Sequence, residues 1–162
     1  MNFVGIAKIL TLLTLANGSP VVAKRVFGNN LCRPVDGGRK FMDGRPIFGS
    51  SKTIRGLLIS VTTATVAAPR LGLKLSVGLL AATAAMVGDL FSSFSKRRLS
   101  LAPSSKATGL DQIPESLLPL LVCRKALGLT DLDIMVALTS FVVGEIVLSR
   151  LLFAVDLRDR PY

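Results

Sequence analysis

The chain has 162 residues, half of them hydrophobic and only 19% charged, with a mean hydropathy of +0.57. That is too apolar for a soluble domain and ordinary for a polytopic membrane protein. Twenty Lys and Arg against ten Asp and Glu give a net charge of +10, without a single Trp for base stacking. The cations fall in the gaps between apolar segments, so membrane topology and an anionic substrate explain them better than nucleic acid.

The first apolar segment is Phe3–Phe27. No basic residues precede its apolar run, so a first transmembrane helix is a better reading than a signal peptide cleaved near Ala16 or Gly18. Asn17-Gly18-Ser19-Pro20 predicts a break or kink within it. Polar residues at such a break are tolerated where they line a cavity, although a simple proline kink accounts for them as well. Residues 28–51 form a hydrophilic loop carrying Arg33, Arg39, Lys40 and Arg45. Asp36-Gly37-Gly38 and Asp43-Gly44 are turn signals, and a loop of this length is commonly functional.

Gly49-Ser50-Ser51-Lys52-Thr53 opens the second apolar segment, Ile54–Pro69. Free backbone N–H groups and the positive end of a helix dipole suit a phosphate there. Lys does not directly follow Gly49, so this is not a Walker A loop. Thr53 alone equally suits a helix N-cap, and Lys52 and Arg55 equally suit interfacial anchors.

The third segment, Leu75–Phe94, runs into Gly88–Arg98, GDLFSSFSKRR. On a helix Asp89, Ser92, Ser93 and Lys96 share one face. Asp89 and Lys96 stand roughly 10 Å apart along the axis, too far for an ion pair and suited to holding something charged between them. An acid near bilayer depth suggests a functional site. The alternatives are an Asp89 paired with an Arg of another helix and a Lys96–Arg98 run that only anchors a helix end.

Residues 99–110 form a second polar loop with Pro103, Ser104, Ser105 and Lys106. In the fourth segment, Leu110–Leu127, Asp111 reads as an N-cap, with Pro114 and Glu115 in the first turn. This segment contains Pro119 and is short for a full span. The fifth, Leu132–Val155, carries Glu145. Neither Lys8 nor Glu145 has a role in this reading beyond snorkelling and pairing within the bundle.

The expectation is therefore one all-α transmembrane domain over residues 1–162, with about five spans and two polar loops. The loops and the tail, with Arg158 and Arg160, hold most of the cations, against Arg70, Lys74, Arg124 and Lys125 on the other side. The positive-inside rule places loops and C-terminus in the cytoplasm and the N-terminus outside. Cys32 and Cys123 then lie near opposite faces and read as unpaired thiols. Histidine is absent, which removes imidazole catalysis.

On the cytoplasmic face Asp89 and Asp111, with Asp36 and Asp43 in the first loop, supply hard oxygen donors. Magnesium commonly takes one or two carboxylates and completes its shell with phosphate and water. Lys52, Lys96, Arg97 and Arg98 can neutralise a polyphosphate, and transfer at phosphorus needs positioning and charge stabilisation rather than imidazole. The location suggests one water-soluble phosphate compound and one membrane lipid as substrates.

Residues 16–26 (ANGSPVVAKRV), 34–57 (PVDGGRKFMDGRPIFGSSKTIRGL), 88–99 (GDLFSSFSKRRL) and 110–119 (LDQIPESLLP) together resemble the CDP-archaeol synthase family. The SxSKRR run is more distantly similar to the carboxy-terminal signature of phosphatidate cytidylyltransferases, whose denser acidic and His-Gly-Gly elements are missing here. The resemblance implies transfer of CMP from CTP to 2,3-di-O-geranylgeranylglyceryl phosphate, giving CDP-archaeol and pyrophosphate, with no covalent enzyme intermediate. By motif position it implies Asp89 and Asp111 as Mg²⁺ ligands. Lys96, Arg97 and Arg98 would hold phosphates, and Lys52, Thr53 and Arg55 would complete the cradle. Asn17 and Ser19 are candidate nucleotide contacts, whereas Asp36, Asp43 and Arg45 are candidates that also suit a loop-folding role. Small-residue runs at 62–68 and 81–85 offer grooves for branched lipid chains, although close packing between helices explains them better. The competing readings are a phosphatidate cytidylyltransferase and a non-enzymatic carrier of anionic lipids. A CDP-alcohol phosphotransferase would need a DGxxAR motif that the chain lacks.

Overall fold

The computed structural model describes residues 1–28, 32–102, 105, 107 and 109–154, without the side chain of residue 152. Pro103, Ser104, Lys106, Arg158 and Arg160 lie outside them. Five helices follow in order: α1 (Phe3–Phe27), α2 (Ile54–Ala67), α3 (Leu75–Arg98), α4 (Gln112–Leu127) and α5 (Asp131–Ala154), with a 3₁₀ turn at Ala68–Leu71 after α2. Among the described residues there are only two isolated β-bridges, Pro34 with Thr53 and Lys40 with Pro46.

Three helical stretches are long and apolar enough to cross a membrane: Phe3–Phe27, Leu75–Arg98 and Asp131–Leu151. The chain is a multi-pass membrane protein. α2 and α4, with 14 and 16 residues, are roughly 21 and 24 Å long at 1.5 Å per residue, short of a hydrocarbon core of about 30 Å. Of the break or kink expected in α1, the break is absent. The helix runs unbroken through Pro20.

The helices share one core. α1 buries Ile6, Ile9, Leu12, Leu13 and Ala16, the spacing of one helical face. Against it pack Ala64 of α2, Ala81, Ala82 and Ala85 of α3, and Leu120 of α4. One face of each small-residue run, its alanines, is thus used in helix packing. At two glycines the backbones nearly touch. An added Cβ on Gly78 would lie 2.6 Å from Ala68 Cβ, and one on Gly88 would lie 2.2 Å from the Pro114 carbonyl oxygen. Gly88 therefore sets how closely α3 and α4 approach, and it places Glu115 beside Asp89.

The polar contacts divide the bundle into two ends. At one, Asn2 caps α1 by accepting from Gly5 N–H and donates to the Leu127 carbonyl (both 2.8 Å). The buried Asp133 accepts from the backbone of Asn2 and Thr130 (both 2.9 Å), and Thr130 Oγ1 accepts in turn from Asp133 N–H. That reciprocal pair is a capping box for α5. The α2–α3 turn lies here too, with Lys8 Nζ reaching Gly72. Both polar loops meet at the opposite end.

Candidate active site

The first loop is built around Asp36. Its carboxylate accepts from the backbone N–H of Gly38, Phe48 and Gly49, each at 2.9 Å. Burial works against its charge, but the three donors outweigh burial and hold its pKa below the usual carboxylate value. Gly37, Gly38 and Gly44 all take positive φ, as their turn positions require. Val35 N–H donates to Lys52 O, and Ile54 N–H to Arg33 O, tying the loop to the entrance of α2.

A clasp fastens this loop to the end of α3. The Arg98 guanidinium lies 4.8 Å from the ring centres of both Phe41 and Phe94. It donates to Asp43 (2.8 Å) and to the Pro46 carbonyl (2.6 Å). Arg45 returns a bond to the Arg98 carbonyl. Asp43, Arg45 and Arg98 are thus joined in folding the loop.

Two ion pairs occupy the mouth. Lys52 Nζ lies 2.5 Å from both oxygens of Asp89, and Lys96 Nζ lies 2.7 Å from Asp111 Oδ1. Asp89 therefore pairs with a lysine from the approach to α2, not with an arginine. Burial disfavours the Lys52 ammonium, but Asp89, with Glu115 and Asp111 behind it, raises its pKa above the usual value. It stays charged at neutral pH. Asp89 and Asp111 both act on this one ammonium, so they belong to one polar cluster.

Asp111 stands just before α4 but makes no capping hydrogen bond to it. Its free oxygen accepts from Ala107 N–H. Thr53, in contrast, does cap α2, accepting from Gly56 N–H at 3.1 Å. Arg55 donates to the Gly28 carbonyl. Lys96 also donates to the Ser105 carbonyl, and Arg97 to that of Ala102. Arg97 Nε and Ser105 Oγ are buried with no hydrogen-bond partner among the described residues.

Sequence reading missed Glu115. It is only 6% exposed, and Asp89, Lys52 and Asp111 all act on its carboxylate. Its signal was its place four residues after Asp111, one helical turn along the same face. Asn17 lies elsewhere, lining a pocket between α1 and α5, and both its amide atoms are buried without a partner among the described residues, as is Ser19 Oγ. Both cysteines are free.

A helical membrane bundle with opposed carboxylates and ammonium groups at one mouth has the build of an intramembrane enzyme handling phosphate compounds. A solved intramembrane enzyme for archaeal membrane lipids biosynthesis superposes on it with a TM-score of 0.75 and 30% identity, covering 87% of this chain and 90% of that one. The CarS-like CDP-archaeol synthase family model matches residues 69–162, and the chain belongs to that family. The CDP-archaeol synthase of Pyrobaculum calidifontis is 44% identical over 113 residues, 67% of each chain. That of Pyrococcus furiosus is 44% identical over 107 residues, 60% of each.

Proposed function

We propose that this chain is a membrane CTP-dependent cytidylyltransferase. It transfers CMP from CTP to 2,3-di-O-geranylgeranylglyceryl phosphate in archaeal phospholipid biosynthesis, giving CDP-archaeol and pyrophosphate. Membership of the CDP-archaeol synthase family carries the reading. The clustering of Lys52, Asp89, Lys96 and Asp111 at one mouth supports it.

In this reaction an oxygen of the lipid phosphate attacks the α-phosphorus of CTP. A new P–O–P bond forms, the bond between the α- and β-phosphates breaks, and its electron pair leaves with pyrophosphate. Negative charge builds on the leaving group, so fixed ammonium and guanidinium groups contribute most. Lys52 and Lys96 are held in place by their carboxylate partners. Arg97, with its unsatisfied Nε, has a donor to spare for a phosphate oxygen. Thr53 caps α2 through the Gly56 N–H and so fixes the helix start just after Lys52. Arg98, Asp43, Arg45 and Asp36 act by shaping the loop that carries Lys52.

Asp89 and Asp111 would hold Mg²⁺. Both offer hard carboxylate oxygens in one polar cluster, the donor type magnesium takes, and each is paired with a lysine that a cation would displace. Two carboxylates would leave the rest of the shell to phosphate and water, as magnesium prefers. When bound, the ion would offset phosphate charge.

The topology that suits this chemistry is one transmembrane domain of five crossings, N-terminus outside, with both loops and the C-terminus in the cytoplasm where CTP is found. Both loops lie together at one end of the bundle, and the N-terminus lies at the other. The deciding experiment supplies purified protein with CTP, Mg²⁺, and the ether lipid phosphate and phosphatidic acid in competition. CDP-archaeol should dominate. Dominant CDP-diacylglycerol would indicate a phosphatidate cytidylyltransferase, and no nucleotide-lipid product would indicate a carrier.

A further inference from the structure

Three glycines on the membrane helices, Gly5, Gly78 and Gly88, are jammed against neighbouring atoms within 3 Å of where a Cβ would stand. Gly18 of α1 and Gly144 of α5 are different. A Cβ added at either meets nothing within 4 Å, so helix packing does not explain them. Both line a pocket of about 270 Å³ between α1 and α5. Its lining is amphipathic, with apolar Leu10, Phe141 and Leu148 alongside polar Thr14, Asn17 and Ser140. In the small-residue runs of α2 and α3, the alanines Ala64, Ala81, Ala82 and Ala85 are used in helix packing.

We propose that this α1–α5 pocket seats the oxygen-bearing glycerol backbone and the first isoprene units of the lipid phosphate substrate. The inference rests on the synthase reading and adds the place where the lipid is held.

Three observations support it. A volume of about 270 Å³ is near the lower end of ligand pockets, roughly 300–1,000 Å³. It admits a glycerol diether core, leaving most of both chains in the bilayer. Next, the buried Asn17 amide has no partner among the described residues, a state that costs free energy unless a ligand relieves it. A small rotation of this side chain would give ether or phosphoester oxygens a donor. Finally, the pocket adjoins the mouth. Pro20, between Gly18 and Val21, packs toward Gly56 in the first turn of α2, one turn from Lys52. A lipid entering between α1 and α5 would thus present its phosphate toward Lys52. The amphipathic walls favour this occupant over CTP, whose triphosphate and ribose have no use for Leu10, Phe141 and Leu148.

The test is Gly144→Leu, which fills open space and improves helix propensity, measured with Gly144→Ala as a milder version. The expected result is a KM for the lipid phosphate raised about tenfold in Gly144→Leu and less in Gly144→Ala, with the KM for CTP unchanged. An unchanged KM for both substrates, or a rise confined to CTP, would overturn the assignment. If Gly144→Leu does not fold, wild-type protein is irradiated with a dialkylglycerol phosphate bearing a diazirine next to the glycerol. Labelling of α1 and α5 peptides supports the pocket, and labelling confined to other helices overturns it. Labelling of α1 and α5 by a wild-type chain that makes no CDP-lipid would refute the synthase reading and leave the pocket standing.

Discussion

At the Asn2 end of the bundle, polar groups are spent on structure: Asp133 receives backbone N–H groups from two helices, and Asn2 joins α1 to the end of α4. At the mouth, Asp89 faces one ammonium group on a flexible stem, and Asp111 faces another beside the Ala107 N–H. Both ends hold an acid on backbone N–H groups, Asp133 at one and Asp36 at the other, but only the mouth also pairs acids with ammonium groups that a charged ligand can displace. Backbone donors are fixed by the fold, whereas a lysine can swing to a phosphate. Burial of an acid therefore says little about function until its partners are known.

The sharpest way to break this contrast is Asp89→Asn. CDP-lipid formation by the purified protein should fall at least about 100-fold, with a smaller drop in the thermal unfolding midpoint because Lys52 loses its partner. Full activity would remove Asp89 from the metal site. Next in size is Gly88→Val, which pushes α3 off Pro114. Overpacking of this kind costs about 1–3 kcal/mol, and contact with backbone puts it at the upper end. Both stability in detergent and activity should drop, because α4 carries Asp111 and Glu115. Asp133→Asn sharpens the contrast from the other side. It should cost about 1 kcal/mol of stability, as lost caps do, with kcat per folded molecule unchanged.

The smallest effect concerns pH. The folded pKa of Asp36 lies below the unfolded value of 3.8, so its contribution to loop stability is complete above that value. It is lost as pH falls through the folded pKa. Hydrogen exchange of the Phe48 and Gly49 amides should be steady from pH 7 down to about 5, apart from intrinsic rates, and rise below about 4. Asp36→Asn should abolish that step.

These residues also show where sequence reading reaches its limit. The apolar segments predicted at Phe3–Phe27 and Leu75–Phe94 correspond to α1 and to most of α3, because hydrophobic length and periodicity are local signals. The break at Pro20 was misjudged. One proline removes a single donor, and packing against α2, where Ser60 donates to the Ala16 carbonyl, keeps the helix continuous. Arg98 read as a phosphate ligand from its motif alone. Its clasp on Phe41, Phe94 and Asp43 depends on a loop more than fifty positions away.

By itself the sequence determined an all-helical membrane protein, the order of its helices, the two polar loops and the types of charged group available for chemistry at phosphorus. Only the tertiary structure decided which carboxylate meets which lysine, that Glu115 joins them, and that open space lies along α1 and α5. Helix propensity and hydrophobic period are written within a few turns of chain. Ion pairing and cavities depend on how each helix is rotated against its neighbours, and contacts such as Gly88 against Pro114 set that rotation.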